Sequence, residues 1–385
     1  MPSKAANGEG SVFFAKGLGW CAKITQDGRR VTRKAKVQTK EGAEKLLRRL
    51  QREADKGPIG RRSPLLKRYV PEWLAAAELR GCRPRTLELY EHRINKHVLP
   101  LLGNTRLDKL TVRLVRELYT AKLKGSGQSR PLSPATVAHM HQLLGNLLKH
   151  AMREGHVGRN VLQAIDPPKV PKFEARPLQL EDARRLLDAA RAHRYGTLWT
   201  FLLGTGCRFG EAAGLTWDAV DLEAGTIGIH QAAIRVRKDG RYRMVLAPPK
   251  TPAGRRTLPI PPWVAAVLKT QRDRVEFMQR KAEPVWQEMG LVFPSGVGTP
   301  LRESHVREAW IQFLKAAGLP EKTRMHDLRH TFATLMLDDG GDLVALQRNL
   351  GHSRLNVTAD LYVGRVPAAQ RRAVERYGEL LAGAN

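Results

Sequence analysis

The sequence predicts a multidomain α+β protein, and three observations lead to that class. Two Gly/Pro-rich stretches, Gly57-Pro-Ile-Gly-Arg-Arg-Ser-Pro64 and Pro167-Pro-Lys-Val-Pro-Lys-Phe-Glu-Ala-Arg-Pro177, cut the 385 residues into three parts. The first and third parts contain strand-like runs joined by Asp27-Gly28 and Asp239-Gly240 turns. The middle part carries only helical apolar stripes. The expected domains are 1–57, a small three-stranded β-sheet plus a helix; 65–166, all helical; and 178–385, mixed but mainly helical with a β-hairpin sheet.

In the first part, Ser11–Phe14, Leu18–Thr25 and Arg30–Val37 read as strands. Thr39 opens a helix to about Asp55, with Ala43, Leu46, Leu47 and Leu50 on one stripe. Residues 1–57 hold 14 Lys/Arg against 6 Asp/Glu, a net +8. A basic three-stranded sheet fits a DNA major groove, which makes Arg33, Lys34 and Lys36 candidate DNA contacts. The plainer alternative is a capping β-meander with a solvated charged face.

In the middle part, Leu87, Tyr90, Ile94 and Val98 share one helical face. Ser133 suits an N-cap and Pro134 a first helical position, followed by the stripe Val137, Met140, Leu144 and Leu147. These stripes are core. Arg83, Arg85, Arg93, Lys96 and Lys149 are interspersed candidates for phosphate contact, although each alone also reads as a solvated charge. The second linker is Pro-rich, hence extended and semi-rigid, and two basic domains on such a strap are suited to wrapping a duplex from opposite sides. In the third part, helices are expected at about Leu180–Ala192 and Thr197–Leu203, and strands at Ile227–Val236, Tyr242–Leu246 and Arg255–Ile260. More helices fill the remainder.

The chain has 66 Lys/Arg against 37 Asp/Glu, a formal net charge of +29, which favours a polyanionic partner, most simply nucleic acid. Three cysteines, Cys21, Cys82 and Cys207, have no paired spacing, as expected in a reducing cytoplasm without disulfides or a Cys-x-x-Cys metal site. The opening MPSKAANGEG has no apolar signal core, and no run approaches the roughly 18 apolar residues of a membrane span. The expectation is a soluble cytoplasmic protein with no membrane association.

The chemistry concentrates around Arg324-Met-His-Asp-Leu-Arg-His-Thr-Phe-Ala-Thr334. Read as a helix, this stretch sets His326 and Arg329 on one face, with His330 one turn on from His326. His352 follows in Leu350-Gly-His352, and Tyr362 lies beyond it. Upstream, Leu203-Gly-Thr-Gly-Cys-Arg-Phe-Gly-Glu-Ala-Ala-Gly-Leu215 carries a buried-looking arginine, Arg208, at an expected helix start. Glu211, three residues on, can hold its guanidinium; in isolation the two read as a structural pair. Lys250 lies in Pro248-Pro-Lys-Thr-Pro-Ala-Gly-Arg-Arg-Thr-Leu-Pro-Ile-Pro261 and reads as the tip of a basic hairpin, able to carry a proton to a leaving oxygen. Lys238 and Lys269 are its rivals. Tyr362 needs a base and a cationic field to become a nucleophile. Its rival Tyr377 is spaced with Val374 and Leu381 for helix packing. Two arginines, a lysine, two histidines and a tyrosine are together suited to holding a phosphodiester while a phenol attacks it.

One motif points elsewhere. His326-Asp-Leu-Arg-His330 places two histidines at i and i+4, like a degraded zinc-protease helix, with His352 as a third ligand. Arg329 would then set its charge beside the metal, and Asp327 is short for the usual glutamate. The expectation is that neither metal nor other cofactor is used.

These residues together resemble the tyrosine recombinases of the phage-integrase family. Thr205-Gly-Cys-Arg-Phe-Gly-Glu211 resembles the family's first arginine box, and Lys250-Thr251 falls where its hairpin lysine lies. His326-Asp-Leu-Arg-His-Thr331 resembles its His-x-x-Arg box, and Leu350-Gly-His352 and Tyr362 its second histidine and nucleophile. Val363-Gly364 follows the tyrosine where many relatives carry a histidine. The resemblance implies a helical, SAM-like core-binding domain and a mixed catalytic domain clamped around DNA; residues 1–57 are similar, more loosely, to three-stranded arm-binding domains. It implies catalysis by Arg208, Lys250, His326, Arg329, His352 and Tyr362, supported by Glu211 and His330, through a 3′-phosphotyrosine without metal or ATP. It implies core-type and arm-type double-stranded DNA attachment sites, a homotetramer on DNA, an excision-directing or host DNA-bending protein as accessory, and a place in the bacterial cytoplasm, at the nucleoid. The alternatives are a type IB topoisomerase-like relaxing enzyme, which would need no arm domain, and a non-catalytic DNA-binding regulator, which would not need all six catalytic positions.

Overall fold

Side-chain alternation along one strand organises the first part of the chain. β1 (Ser11–Ala15), β2 (Gly19–Gln26) and β3 (Arg29–Lys34) form an antiparallel sheet in that order, with α1 (Lys40–Ala54) against it. Ala22 and Ile24 point toward α1 and make a small core with Ala43, Leu46 and Leu50. Residues directly opposite across strands share a face. Arg33 is therefore on the α1 side, opposite Ala22, and its guanidinium is held 3.0 Å from Glu53 of that helix. That position corrects the grouping of Arg33 with Lys34: only Lys34, aligned with Cys21 and Phe13, belongs to the face turned away from α1. Lys36 lies exposed beyond the end of β3.

This computed structural model describes residues 10–26, 29–54, 63–125, 130–171, 175–238, 240–249 and 252–351. The chain divides into two units, Met1–Lys172 and Phe173–Asn385, a split that falls inside the Pro-rich stretch 167–177.

The rest of the first unit is helical: α2 (Leu66–Leu79), α3 (Pro84–Arg93), a π-helical turn (Ile94–Val98), α4 (Leu99–Leu102), α5 (Val112–Lys124) and α6 (Pro134–Arg153). Pro100 has no N–H to offer the Lys96 carbonyl, and the helix widens just before it, with Leu99 donating back to Ile94. Ser133 caps α6 by accepting from the Thr136 N–H at 3.2 Å, and Pro134 takes the first position, as the sequence predicts. Val137, Met140, Leu144 and Leu147 are buried with Ile94 and Val98 in a second core, separate from that of the sheet. Two phenols tie α6 to its neighbours: Tyr69 of α2 meets His150 at 2.6 Å and Tyr119 of α5 meets His141 at 3.0 Å.

The second unit opens with α7 (Leu180–Ala190), α8 (Gly196–Thr205) and α9 (Phe209–Ala213). Strands β4 (Val220–Asp221), β5 (Thr226–Ile229), β6 (Ala232–Lys238), β7 (Arg241–Ala247) and β8 (Arg256–Pro259) follow. Last come α10 (Pro262–Lys281), α11 (Glu303–Ala316), α12 (Met325–Asp338) and α13 (Leu343–Leu350). The run expected as one strand over Ile227–Val236 is two. β5 pairs with β4 and β8, β6 pairs only with β7, and the chain changes sheet at His230-Gln231. There the Gln231 side chain donates to the Gly214 carbonyl at 3.0 Å, and the His230 ring folds back over Gly228, which has no Cβ to obstruct it. Trp199, Phe201, Phe293, Trp310 and Phe313 fill the core between α8, α11 and the sheet. α12 packs on α8, and Ala333 and Leu337 of α12 pack against Leu346 and Leu350 of α13. Among the described residues, no helix is long and apolar enough to cross a membrane.

The two cores of the first unit should fail independently. Leu50→Ala, at a fully buried site, should cost about 2–5 kcal/mol. Hydrogen exchange should then accelerate over residues 11–54 and stay unchanged over 66–165. Loss of protection throughout both segments would show a single core instead.

Candidate active site

The site begins where α8 stops. Gly206 takes a left-handed conformation, φ +63°, at the end of that helix, and a Cβ there would lie 2.5 Å from the Phe332 ring. The chain then extends through Cys207 to Arg208, the N-cap of α9. Glu211, the third residue of α9, accepts from the Arg208 backbone N–H at 3.0 Å and from its guanidinium at 2.7 Å. The expected Arg208–Glu211 pair is therefore present. Arg208 is not the buried member, however: its side chain is 41% exposed and that of Glu211 only 6%.

A second arginine fills the inner side of the same carboxylate. Arg256 of β8, 7% exposed, donates to both Glu211 oxygens, at 2.9 and 3.2 Å. Its Nε donates to the Asn349 carbonyl at 2.8 Å, and Nη1 also reaches the Gly254 carbonyl at 3.2 Å. Arg256 is the member of this cluster that sequence reasoning missed. The signal was the two-residue period of β8, which puts Arg256 on the same face as buried Leu258.

Arg329 of α12 is buried beneath them. It donates to the Gly206 carbonyl at 2.7 Å and to the Leu350 carbonyl at 2.5 Å. The last carbonyls of α13, at Asn349 and Leu350, are thus received by two guanidiniums, groups that a helix C-terminus otherwise leaves without partners. Gly351 closes α13 at φ +63°, and a Cβ there would lie 2.9 Å from Arg256 Nη1 and 3.0 Å from the Ala253 carbonyl.

The electrostatics follow from this crowding. Burial by itself would raise the Glu211 pKa, but hydrogen bonds and charge from Arg256 and Arg208 hold it down at about 2. Burial, then the charges of Arg208 and Arg256, bring Arg329 down to about 9 against the pull of Glu211, so it remains a cation at neutral pH. Burial and the nearby Glu211 push the Cys207 thiol up to about 11, so it stays protonated and inert beside the arginines.

α12 delivers the histidines. Asp327 caps its N-terminus, accepting from the Arg324 backbone N–H at 2.8 Å and from its guanidinium at 2.6 and 3.1 Å. The acid of the zinc-like pattern is therefore occupied by Arg324. His326 and His330 meet edge to face with centroids 5.1 Å apart. His326 is an exposed residue, yet the groups packed around its ring remove enough water that burial leads the causes lowering its pKa to about 4. The charges of His330, Arg329 and Arg324 follow, against Asp327. It is a neutral imidazole at neutral pH. The same burial lowers His330. Thr331 anchors the helix, donating to the Asp327 carbonyl at 2.8 Å and accepting from the Leu178 N–H at 2.9 Å. Among the described residues, no group of three His, Cys, Asp or Glu side chains is arranged to hold a metal ion.

Of the expected site residues, the structure gathers Arg208, Glu211 and Arg329 into one cluster, and carries His326 and His330 on the helix that holds Arg329. Lys250, His352, Tyr362 and Tyr377 lie outside the described residues. The strands expected on either side of Lys250 do not pair with each other: β7 ends at Ala247, before Pro248-Pro249, and β8 begins at Arg256 in another sheet. The basic hairpin is β6–β7, closed at Lys238 and Arg241. In the helical part of the first unit, Lys96 in the π-helical turn and Lys149 on α6 are exposed, Arg83 is the N-cap of α3, Arg93 lies in its last turn, and Arg85 is held 2.9 Å from Glu88.

The chain is similar to known proteins along most of its length. Residues 176–366 match the phage integrase family, and residues 65–123 match the N-terminal SAM-like domain of phage integrases. An integrase of Streptomyces ambofaciens is 31% identical over 391 residues, covering 97% of each chain. A XerC-like tyrosine recombinase of Caldanaerobacter subterraneus subsp. tengcongensis is 25% identical over 322 residues, covering 80% of this chain and 81% of its own. Among solved structures, the Tn1549 transposon integrase in complex with transposon right-end DNA superposes with a TM-score of 0.66 at 21% identity, over 81% of this chain and 99% of its own. A lambda integrase dimer bound to a core site gives 0.57 at 17% identity, over 93% and 94% of the two chains. At such identities these two show a shared fold. The matches favour neither a relaxing enzyme nor a regulator, and with a relative 31% identical along nearly its whole length the chain belongs to the phage integrase family and is a tyrosine recombinase, an enzyme of DNA strand exchange.

Proposed function

We propose that this recombinase integrates and excises a mobile DNA element, with Tyr362 as nucleophile and the Arg208–Glu211–Arg256–Arg329 cluster as the seat of the scissile phosphate. The observation that carries the reading is that cluster: Arg208, partly exposed, is fixed by a buried carboxylate beside the buried cation Arg329. Guanidiniums fixed in advance hold a phosphate and stabilise the charge that builds up at pentacoordinate phosphorus. In the reaction, Tyr362 Oη bonds to phosphorus as the bond to the 5′-oxygen breaks. The phenolic proton passes to a neutral imidazole, for which His326 is suited, with His352 as its partner on the phosphate. Lys250 gives a proton to the leaving 5′-oxygen. A 5′-hydroxyl of the partner strand then reverses the steps and joins a new strand, so the energy of the phosphodiester is retained and no ATP is consumed.

Core-type and arm-type DNA sites, and a homotetramer on them, complete the reading. A lambda integrase tetramer has been solved on a Holliday junction, and the Tn1549 integrase on its transposon end. The open face of the β1–β3 sheet, with Lys23 and Lys34, supports arm-site binding, and exposed Lys96 and Lys149 support core-site contacts. The β6–β7 hairpin, with exposed Arg235, Arg237, Arg241 and Arg243, adds a basic ribbon to the second unit. An excision-directing or host DNA-bending protein would act with this assembly in the bacterial cytoplasm.

Three experiments test the reading. On a nicked suicide substrate, Tyr362→Phe should bind DNA and form no covalent complex, while Tyr377→Phe should still be trapped; the reverse pattern would reject Tyr362 as nucleophile. Because the cations are supplied by the chain, excess chelator should leave trapping by the unmodified protein intact, and zinc-restored loss would reinstate the metal-site reading. Deleting residues 1–57 removes a net +8. Cleavage of a short core site should persist, while arm-site affinity and its salt dependence should fall as fewer counterions are released. An unaltered footprint over a full attachment site would contradict an arm-binding role.

A further inference from the structure

Arg256 lies on the inner side of the Glu211 carboxylate, with its side chain 7% exposed, and each of its three guanidinium nitrogens donates a hydrogen bond. Four of its contacts are to Glu211 Oε1, Glu211 Oε2, the Asn349 carbonyl and the Gly254 carbonyl. Through Glu211 it reaches Arg208: the two arginines share each carboxylate oxygen, Oε1 with the Arg208 guanidinium and Oε2 with the Arg208 backbone N–H. Through Asn349 it reaches the last turn of α13, one residue before the carbonyl that Arg329 receives. Gly351 then turns left-handed against the Arg256 guanidinium, so the chain leaves α13 toward His352 and Tyr362 from a point that Arg256 sets.

We propose that Arg256 is a positioning residue for strand cleavage, one guanidinium that fixes both the phosphate-holding Arg208 and the end of α13 from which the His352–Tyr362 segment departs. The proposal rests on the reading of Arg208 as a phosphate ligand. Its geometry needs an arginine. A lysine at 256 can satisfy one Glu211 oxygen as a point charge, but it has no planar fork to bind both oxygens while a third N–H points at Asn349. Without Arg256, Glu211 keeps Arg208 as its one hydrogen-bond partner among the described residues, and the shared carboxylate is free to draw that guanidinium inward, away from the DNA. The Asn349 carbonyl loses its donor in the same step. Small displacements of this kind cost rate without abolishing binding.

The test uses the full chain and two nicked suicide substrates, one with an ordinary scissile phosphate and one with a neutral methylphosphonate at that position. Covalent trapping is timed for the unmodified protein, Arg208→Ala, Arg256→Met and Arg256→Lys, with DNA affinity and thermal midpoint measured beside each. Arg256→Met should trap the phosphate substrate about 100-fold more slowly at near-normal DNA affinity. Arg256→Lys should fall between it and the unmodified protein. On the methylphosphonate, whose lost charge lessens the need for Arg208, the gap between Arg256→Met and the unmodified protein should narrow. A merely structural defect would be equal on both substrates, and that result overturns the proposal. So does a normal trapping rate on phosphate. If Arg256→Met fails to fold, Arg256→Lys, which keeps the charge, is judged by the same two criteria. Arg208→Ala separates the readings: a normal rate there removes Arg208 from the site, whereas a slow Arg208→Ala beside a normal Arg256 variant removes only Arg256.

Discussion

A single buried carboxylate, Glu211, receives four N–H groups, two from Arg208 and two from Arg256. Burial opposes the charge, and the four donors overcome that opposition. The consequence for the fold is that three distant stretches, 206–211, 254–256 and 349–351, are drawn to one point. Charges this deeply buried are sensitive to the loss of one partner: removing half of such a pair typically costs about 3–5 kcal/mol, because the survivor is left desolvated and unbalanced. Arg256 and Glu211, both almost wholly buried, are in that regime; the partly exposed Arg208 is coupled less strongly through solvent.

The same arrangement explains why the site suits a phosphodiester. Three guanidiniums surround one carboxylate, and the proximity of Arg208 and Arg256 lowers the pKa of Arg329. This is a cationic cluster short of negative charge, with its side chains already fixed by carbonyls and by Glu211. In the proposed reading, an incoming phosphate would relieve the mutual repulsion and meet donors that need little reorganisation. His326, kept neutral by its surroundings, adds a proton acceptor without adding another positive charge. The buried Cys207 thiol, close to all this, is held protonated.

Local patterns in the sequence were sufficient for much of this. The stripe of α1, the Ser133-Pro134 start of α6 and the i, i+3 pairing of Arg208 with Glu211 each depend on residues within one turn of each other, and each is present. What could not be read locally depends on partners far along the chain. The run Ile227–Val236 reads as one strand by its β-branched residues, but its halves pair with different strands farther along the chain. Arg33 was grouped with Lys34 by composition, although strand alternation sends the two to opposite faces and Glu53 claims the first. Arg256 is one of two adjacent arginines between Gly254 and Thr257. Its burial follows from Glu211, 45 residues earlier, and Asn349, 93 residues later. Arg208, conversely, looked buried in an apolar segment, but as the N-cap of a short helix it faces outward.

If the Glu211 carboxylate organises the site, its charge rather than its shape is what matters. Glu211→Gln keeps the size and an acceptor oxygen while removing the charge that two arginines share. The deciding measurement is the single-turnover rate of covalent complex formation by the Glu211→Gln chain on a nicked site, taken at saturating DNA and below its unfolding midpoint. The account predicts a rate about 100-fold below that of the unmodified protein, with DNA binding retained. A rate equal to that of the unmodified protein would contradict it.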